Sequence, residues 1–302
     1  MLSPAGPKAD SVAVLWWILF WISVAVSVVV IAMMLWAALF RRKETTVKHD
    51  SGQRFVLVLG VAIPAAILIG TFGLSVGGIA GNADPPTSTQ VTIEVTGHRW
   101  WWEVRYPEAG FATANEIHVP AGTPVRLRLR TADVIHSFWV PELMPKIDLL
   151  PRRVNETWFS ADHPGVYRGQ CAEFCGTQHS HMAFSVVAQP PAAFQAWLDQ
   201  QSAPVTAPDT EQERQGLAVL ESSSCATCHT VRGTEADGDL GPDLTHVGSR
   251  DRLAAGAIPN TFGYMAGWVS NSQTVKPGNL MPPQQLTPDE LRAVVTYLQS
   301  LE

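Results

Sequence analysis

Cys171-Ala-Glu-Phe-Cys175-Gly-Thr-Gln-His179-Ser-His-Met182 places two thiols, an imidazole and a thioether within twelve residues. A disulfide scaffold has no use for that His and Met. Soft sulfur donors beside imidazole select copper, zinc or iron–sulfur chemistry over hard cations. Structural zinc is closed by four ligands, and a thioether is a poor zinc ligand but a familiar weak one to copper. His136, in Ile135-His136-Ser-Phe-Trp-Val-Pro141, brings the strong candidates to five. That is one too many for a single tetrahedral ion and suits two coppers sharing both sulfurs. The bland alternative is a buried pair of free cysteines beside a core Met, which leaves this density of donors unexplained.

The run resembles the binuclear CuA loop of subunit II of haem-copper cytochrome c oxidases, Cys-x-Glu-x-Cys-x-x-x-His-x-x-Met with one earlier His, and every position is met. The resemblance extends from the first apolar segment to about residue 200. It implies that Cys171 and Cys175 bridge the coppers, that His136 and His179 take one copper each, and that Met182 and the main-chain carbonyl of Glu173 are weak ligands. It also implies a magnesium ion bound with the Glu173 side chain at the boundary with subunit I.

Two apolar runs point to a membrane. Val12 to Phe40 is 29 residues without a charge and Phe55 to Ile79 is 25, both beyond the roughly 20 that cross a bilayer. The first is too long for a secretory signal core and has no small-residue cleavage site directly after it, so it is expected to be retained. Between the runs, residues 41–54 hold five basic residues against Lys8 alone at the N-terminal side. The positive-inside rule puts this loop in the cytoplasm and everything after about residue 80 in the periplasm or its equivalent. Neither run contains an acid, amide or His. Many members of the resembled family carry an acidic residue near the start of the second helix for proton uptake, and Phe55 to Ile63 has none.

From Thr89 to Val187 the period turns to two. Val91, Ile93 and Val95 alternate with polar residues, and Val125, Leu127 and Leu129 alternate with Arg126, Arg128 and Arg130, as half-buried strands do. An antiparallel sandwich or barrel is expected, with the Cys171–Met182 loop between its last two strands. The resemblance sharpens this to a cupredoxin-like Greek key. In His98-Arg-Trp100-Trp101-Trp102, three consecutive tryptophans cannot all point inward, so at least one should be exposed or at an interface. The resemblance implies an electron-accepting role for an aromatic cluster here, with Trp100 at the exposed position. In Leu150-Pro151-Arg152-Arg153, family members usually have Gly where Arg152 stands, so Arg152 must adopt another turn or accept strain.

Residues 202–210, rich in Pro and polar groups, read as a linker. Beyond them Cys225-Ala-Thr-Cys228-His229 is the attachment signature of a c-type haem: two thiols add to vinyl groups and the His binds iron. It uses the only other cysteines in the chain. The competing reading is a disulfide or a thioredoxin-like dithiol. Met281, in Gly278-Asn-Leu-Met-Pro-Pro283, is the expected second axial ligand, as small cytochromes c place it in such a loop. Met265 reads as core and His246 as a loop residue. His49, His98, His118, His163 and His181 read as structural or solvent-facing. Thr287-Pro288-Asp289-Glu290 is a capping box for a last helix.

The expected organisation is thus a multidomain membrane protein. Residues 1–83 form a two-helix transmembrane hairpin (spans 12–40 and 55–79), 84–200 a cupredoxin-like Greek-key β-barrel, 201–211 a linker and 212–302 an all-α class I cytochrome c domain. Formal charge is −6; the first two stretches, up to residue 200, cancel, and residues 201–302 carry 12 acidic against 6 basic groups. That excludes a nucleic-acid partner and suits a basic redox protein, though ordinary solubility explains it equally. The resemblance implies an electron-input subunit of a cytochrome c oxidase of the branch with a fused cytochrome c domain, in a bacterial plasma membrane. Cytochrome c or a quinol-cytochrome c reductase would be the donor, and subunits I and III the partners. No oxygen-reducing site is visible in this chain. Alternatives are the same module serving a nitric oxide reductase, or a membrane-anchored copper carrier or redox sensor, although a carrier needs no haem.

Overall fold

The computed structural model describes residues 3–40, 49–85, 88–89 and 91–302. Two helical stretches, Pro7–Leu39 and Gly52–Gly81, are long and apolar enough to cross a membrane. The first is α1; the second is divided into α2 (His49–Leu57), a π-turn (Val58–Ala62) and α3 (Ile63–Gly81). The π-turn comes just before Pro64, whose missing N–H breaks the regular ladder, and a wider turn absorbs the defect. Most of the 41–54 loop lies outside the described residues.

Ten strands follow in two five-stranded sheets: β1 (Val91–His98), β2 (Trp101–Tyr106), β3 (Phe111–Ala114), β4 (Glu116–Pro120), β5 (Val125–Thr131), β6 (His136–Val140), β7 (Met144–Leu149), β8 (Asn155–Phe159), β9 (Gly165–Cys171) and β10 (Ala183–Gln189). The orders are β3-β2-β1-β5-β8 and β4-β10-β9-β6-β7. The expected alternation is borne out: Ile93, Val95, Val125, Leu127 and Leu129 are fully buried. Arg126 and Arg128 face outward, where they pair with Glu156 and Glu94, exposed contacts worth under ~1 kcal/mol each. The expectation of a purely antiparallel array is corrected, because β1–β5 and β4–β10 are parallel. Period two reports which face is buried, not strand direction, and Greek-key crossovers bring strands of different hairpins side by side.

The two apolar helical stretches are stitched to this sandwich. The Ala5 N–H donates to Glu142 O and the Asp162 N–H to Ala5 O, both at 2.8 Å. Lys8 Nζ donates to Thr157 Oγ1 (2.9 Å) and lies over the Trp158 ring. At the other end of the hairpin, Asn82 O accepts from Trp158 Nε1 (3.1 Å). The start of α1 and the end of α3 therefore meet the same edge of the sandwich.

After α4 (Pro191–Ser202), α5 (Glu211–Ser222), the single turn α6 (Cys225–Cys228), α7 (Phe262–Ser270) and α8 (Pro288–Ser300) enclose a second core around Leu220, Val295 and Tyr297. Both α5 and α8 begin with capping boxes, Thr210–Glu213 and Thr287–Glu290. The two helices cross at Gly216, where a Cβ would lie 2.2 Å from Ala293 O. A two-stranded hairpin, β11 (Arg252–Leu253) and β12 (Ile258–Pro259), interrupts the helices, so this part is not purely helical. Its turn holds Ala254 and Ala255 at positive φ, without the Asn-Gly or Asp-Gly that marks such hairpins in sequence. Residues 203–210 lack regular structure but are pinned: Val205 N–H donates to Arg232 O and the Arg232 guanidinium to Ser202 O and Gln201 O.

Arg152 takes the strained course, with φ 63° in a turn closed by Arg153 N–H donating to Leu150 O (3.2 Å). Pro at the second and positive φ at the third position is the pattern that calls for Gly. We expect Arg152→Gly to stabilise the sandwich by about 1 kcal/mol, read as a shift in denaturant midpoint by tryptophan fluorescence. A neutral or destabilising result would show that the Arg152 side chain offsets its backbone.

Candidate metal and haem sites

The structure brings all six proposed copper donors together. His136, at the start of β6, is fully buried and turns Nδ1 towards Cys171 Sγ (3.8 Å). Cys171 ends β9, and its Sγ lies 3.8 Å from Cys175 Sγ and 3.2 Å from Glu173 O. Cys175 Sγ lies 3.6 Å from His179 Nδ1 and 3.8 Å from Met182 Sδ. His136, Cys171 and Cys175 alone form a cluster of ligand atoms within 4.8 Å of one another. Two sulfurs, two imidazole nitrogens, a thioether and one carbonyl around a small buried volume fit copper and are wrong for a hard cation. The two thiols titrate as a pair: hydrogen bonding from Cys175 pulls Cys171 down, and the same contact plus burial drives Cys175 up.

Outer residues hold these donors in place. Asp133 Oδ1 lies 2.9 Å from His136 Nε2, which leaves Nδ1 to face the sulfurs. Burial opposes the charge on Asp133, but hydrogen bonds from His136 and from the backbone N–H groups of Val134 and Arg99 hold its carboxyl at about 2. Desolvation works against a charged His136 as well, and Asp133 and Cys171 outweigh it, so its pKa is raised. Gly97 lets β1 approach the ring, since a Cβ there would sit 2.8 Å from His136 Cδ2. Sequence reasoning missed Asp133 and Gly97; the spacing Asp-x-x-His was the available signal for Asp133. The Glu173 carboxylate points away, half exposed, and shares Lys146 with Asp148.

Trp100 is buried (8% exposed) and donates from Nε1 to Cys175 O (3.0 Å). The half-buried member of the trio is Trp101, stacked on His98. Trp100 is covered by the segment around Lys276 and Gly278, which the pattern of residues 98–102 could not reveal.

At the Cys225–His229 signature, both thiols lie on one helical turn and are half-buried. His229 Nδ1 donates to Pro242 O (2.8 Å), leaving Nε2 free. Burial lowers its pKa, with the Pro242 bond opposing, so the imidazole is kept in the neutral form that binds iron. Gly238 and Gly241 lie flat on the turn, where Cβ atoms would sit 2.4 Å from Thr227 C and 2.6 Å from His229 Cε1. Leu240 and Leu280, next in sequence to Gly241 and Met281, are 72% and 82% exposed, an apolar rim that suits a flat macrocycle. The backbone of Met281 is held by Asn279, Ser272 and Gln273. Met265 is 2% exposed in the core. Both ring nitrogens of His246 face carbonyls, of Glu302 and Ala203, so it has none to spare for a metal.

Asp133→Asn should keep the fold and weaken copper retention about 10–100-fold, measured by competition with a chelator; unchanged retention would make Asp133 dispensable. Met281→Ala should leave haem attached and lower its potential, whereas Met265→Ala should cost ~2–5 kcal/mol of stability and leave the potential alone. A redox titration with a melting curve on each variant separates the roles, and the reverse pattern would overturn the axial assignment.

The description "Cytochrome C oxidase subunit II, periplasmic domain" matches residues 109–189, and "Cytochrome c" matches residues 214–302. Cytochrome c oxidase subunit 2 of Alkalihalophilus pseudofirmus is 34% identical over 314 residues, covering 100% of this chain and 90% of that protein. The same subunit of Bacillus sp. (strain PS3) is 31% identical, covering 82% of this chain and 71% of its own length. Among solved structures, the periplasmic domain of subunit II of cytochrome oxidase of Bradyrhizobium japonicum is 34% identical, with a TM-score of 0.36 over 38% of this chain and 95% of that one. The chain belongs to the cytochrome c oxidase subunit 2 family, as an oxidoreductase subunit that joins a copper domain of cupredoxin type and a cytochrome c domain in one polypeptide.

Proposed function

We propose that this subunit accepts electrons at a haem c on Cys225, Cys228, His229 and Met281 and delivers them through a binuclear CuA site to the oxygen-reducing centre of subunit I. The observation that carries the reading is the meeting of the six donor atoms of His136, at the start of β6, and of Cys171, Glu173, Cys175, His179 and Met182, at the end of β9 and in the loop before β10. When bound, the copper pair and the haem supply reversible one-electron chemistry. The chain holds their ligands in one geometry: Asp133 orients His136, Pro242 O orients His229, and the buried walls exclude water. Such preorganisation lets a centre change charge with little rearrangement of its surroundings.

Domain limits of 1–83, 84–200, 201–211 and 212–302 fit this division of labour. The two apolar stretches would cross the plasma membrane as a hairpin with residues 41–54 in the cytoplasm. The exposed Glu173 carboxylate would contribute to a magnesium site shared with subunit I, and subunit III would complete the assembly. Cytochrome c or a quinol-cytochrome c reductase is the proposed donor, and the excess acid in residues 201–302 would steer a basic donor to the haem domain.

In the assembled oxidase, deleting residues 205–302 should leave two coppers bound but sharply slow oxidation of the donor in stopped flow. The full chain should lose rate as salt rises, because screening weakens steering between exposed charges. Equal rates with and without the haem domain would mean that electrons reach copper directly, by way of Trp100.

A further inference from the structure

Lys276 belongs to the cytochrome c part of the chain, yet its side chain ends against the copper domain. It is 2% exposed. Its ammonium donates to Trp100 O (2.7 Å), His181 O (2.8 Å) and Ala254 O (3.1 Å). Two of these carbonyls lie in the copper domain and one in the hairpin of the haem domain. Among the described residues no carboxylate pairs with it. Burial pulls Lys276 down to about 7, and only the ammonium form has enough N–H groups for three carbonyls.

A buried charge without a counter-ion is costly unless every donor is used. Here every donor is used only when the two domains meet in one register. The surroundings are built to the same end. Gln178 Nε2 donates to Pro277 O (2.8 Å), Ala183 N–H to Ala255 O (3.0 Å) and Asp251 N–H to Glu116 Oε1 (2.9 Å). Gly278, at φ +85°, lies against Thr177 and the outer edge of the Trp100 ring. Ala254 and Ala255 both sit at positive φ, which alanine disfavours, and the carbonyls of both are spent at this junction. Such backbone persists only where its surroundings hold it, and here the junction does.

We propose that Lys276 is a positioning residue that seats the Met281 loop over Trp100, making the contact between the haem and copper domains an internal electron bridge closed to other proteins. On this arrangement Trp100 joins Met281's loop to the Cys175 carbonyl within one molecule, and an external donor finds Trp100 already covered. The inference rests on the cofactor assignment above.

The test uses the purified oxidase with Lys276→Met and Lys276→Gln in the full chain. Copper content, haem staining and the two potentials establish that both centres are present. Flash reduction of the haem then measures electron transfer from haem to copper, and hydrogen exchange reports the amide protons of Ala183 and Asp251. Lys276→Met should lower the transfer rate at least about tenfold, because it removes both charged hydrogen bonds that cross to the copper domain. It should also speed exchange at Ala183 and Asp251 without changing either potential or exchange in α5 and α8. Lys276→Gln, which can reach fewer carbonyls, should fall between. If wild-type and Lys276→Met transfer at the same rate, or if exchange rises only within α5 and α8, Lys276 is a core residue of its own domain and the proposal fails. Absence of transfer in the wild type would instead count against the electron route itself.

Discussion

Two thiols held 3.8 Å apart in a buried pocket cannot both release their protons unless positive charge takes their place. The copper domain is arranged around that constraint. Metal binding there must displace the shared proton, so loading is coupled to pH and to the rigidity of the walls. The donors come from two places in the chain, one strand start at His136 and one loop between β9 and β10. Only the pairing of β6 with β9, with Phe138 opposite Cys171, brings them into register.

The same economy recurs one layer out. Gly97 has no side chain because the His136 ring occupies that space, and Gly241 has none because His229 does. In each case a glycine is defined by a neighbouring imidazole rather than by its own dihedral angles. Each imidazole in turn has one nitrogen committed to an oxygen, of Asp133 or Pro242. Two unrelated domains thus orient a histidine in the same way, with an acceptor behind the ring and a glycine beside it.

The copper loop was legible because its ligands lie in one contiguous run whose spacing is almost free of alternatives, and the haem signature for the same reason. The helix starts at Thr210 and Thr287 were legible because a capping box is a local exchange of hydrogen bonds. What escaped was non-local. Asp133 is the exception, a local partner three residues before His136 whose Asp-x-x-His spacing was within reach. The parallel pairs β1–β5 and β4–β10 escaped because alternation carries no strand direction. Trp100 looked exposed because the segment that covers it lies 176 residues away at Lys276, and the hairpin that completes the junction turns on alanines rather than on a recognisable turn dipeptide.

Ala5 and Gly6 precede the first apolar helix, yet they are part of the sandwich: Ala5 exchanges backbone hydrogen bonds with Glu142 and Asp162, and a Cβ on Gly6 would strike Ser160 O at 2.3 Å. The β-domain is therefore not finished when its last strand is made. It needs the residues before α1 on its own side of the two helices. A chain whose residues before α1 turned away from the sandwich would leave Glu142 O and Asp162 N–H without those partners and the space beside Ser160 O unfilled. Closing the copper domain thus depends on both ends of the helical hairpin, residues 5–8 before it and Asn82 after it, returning to one edge of the sandwich.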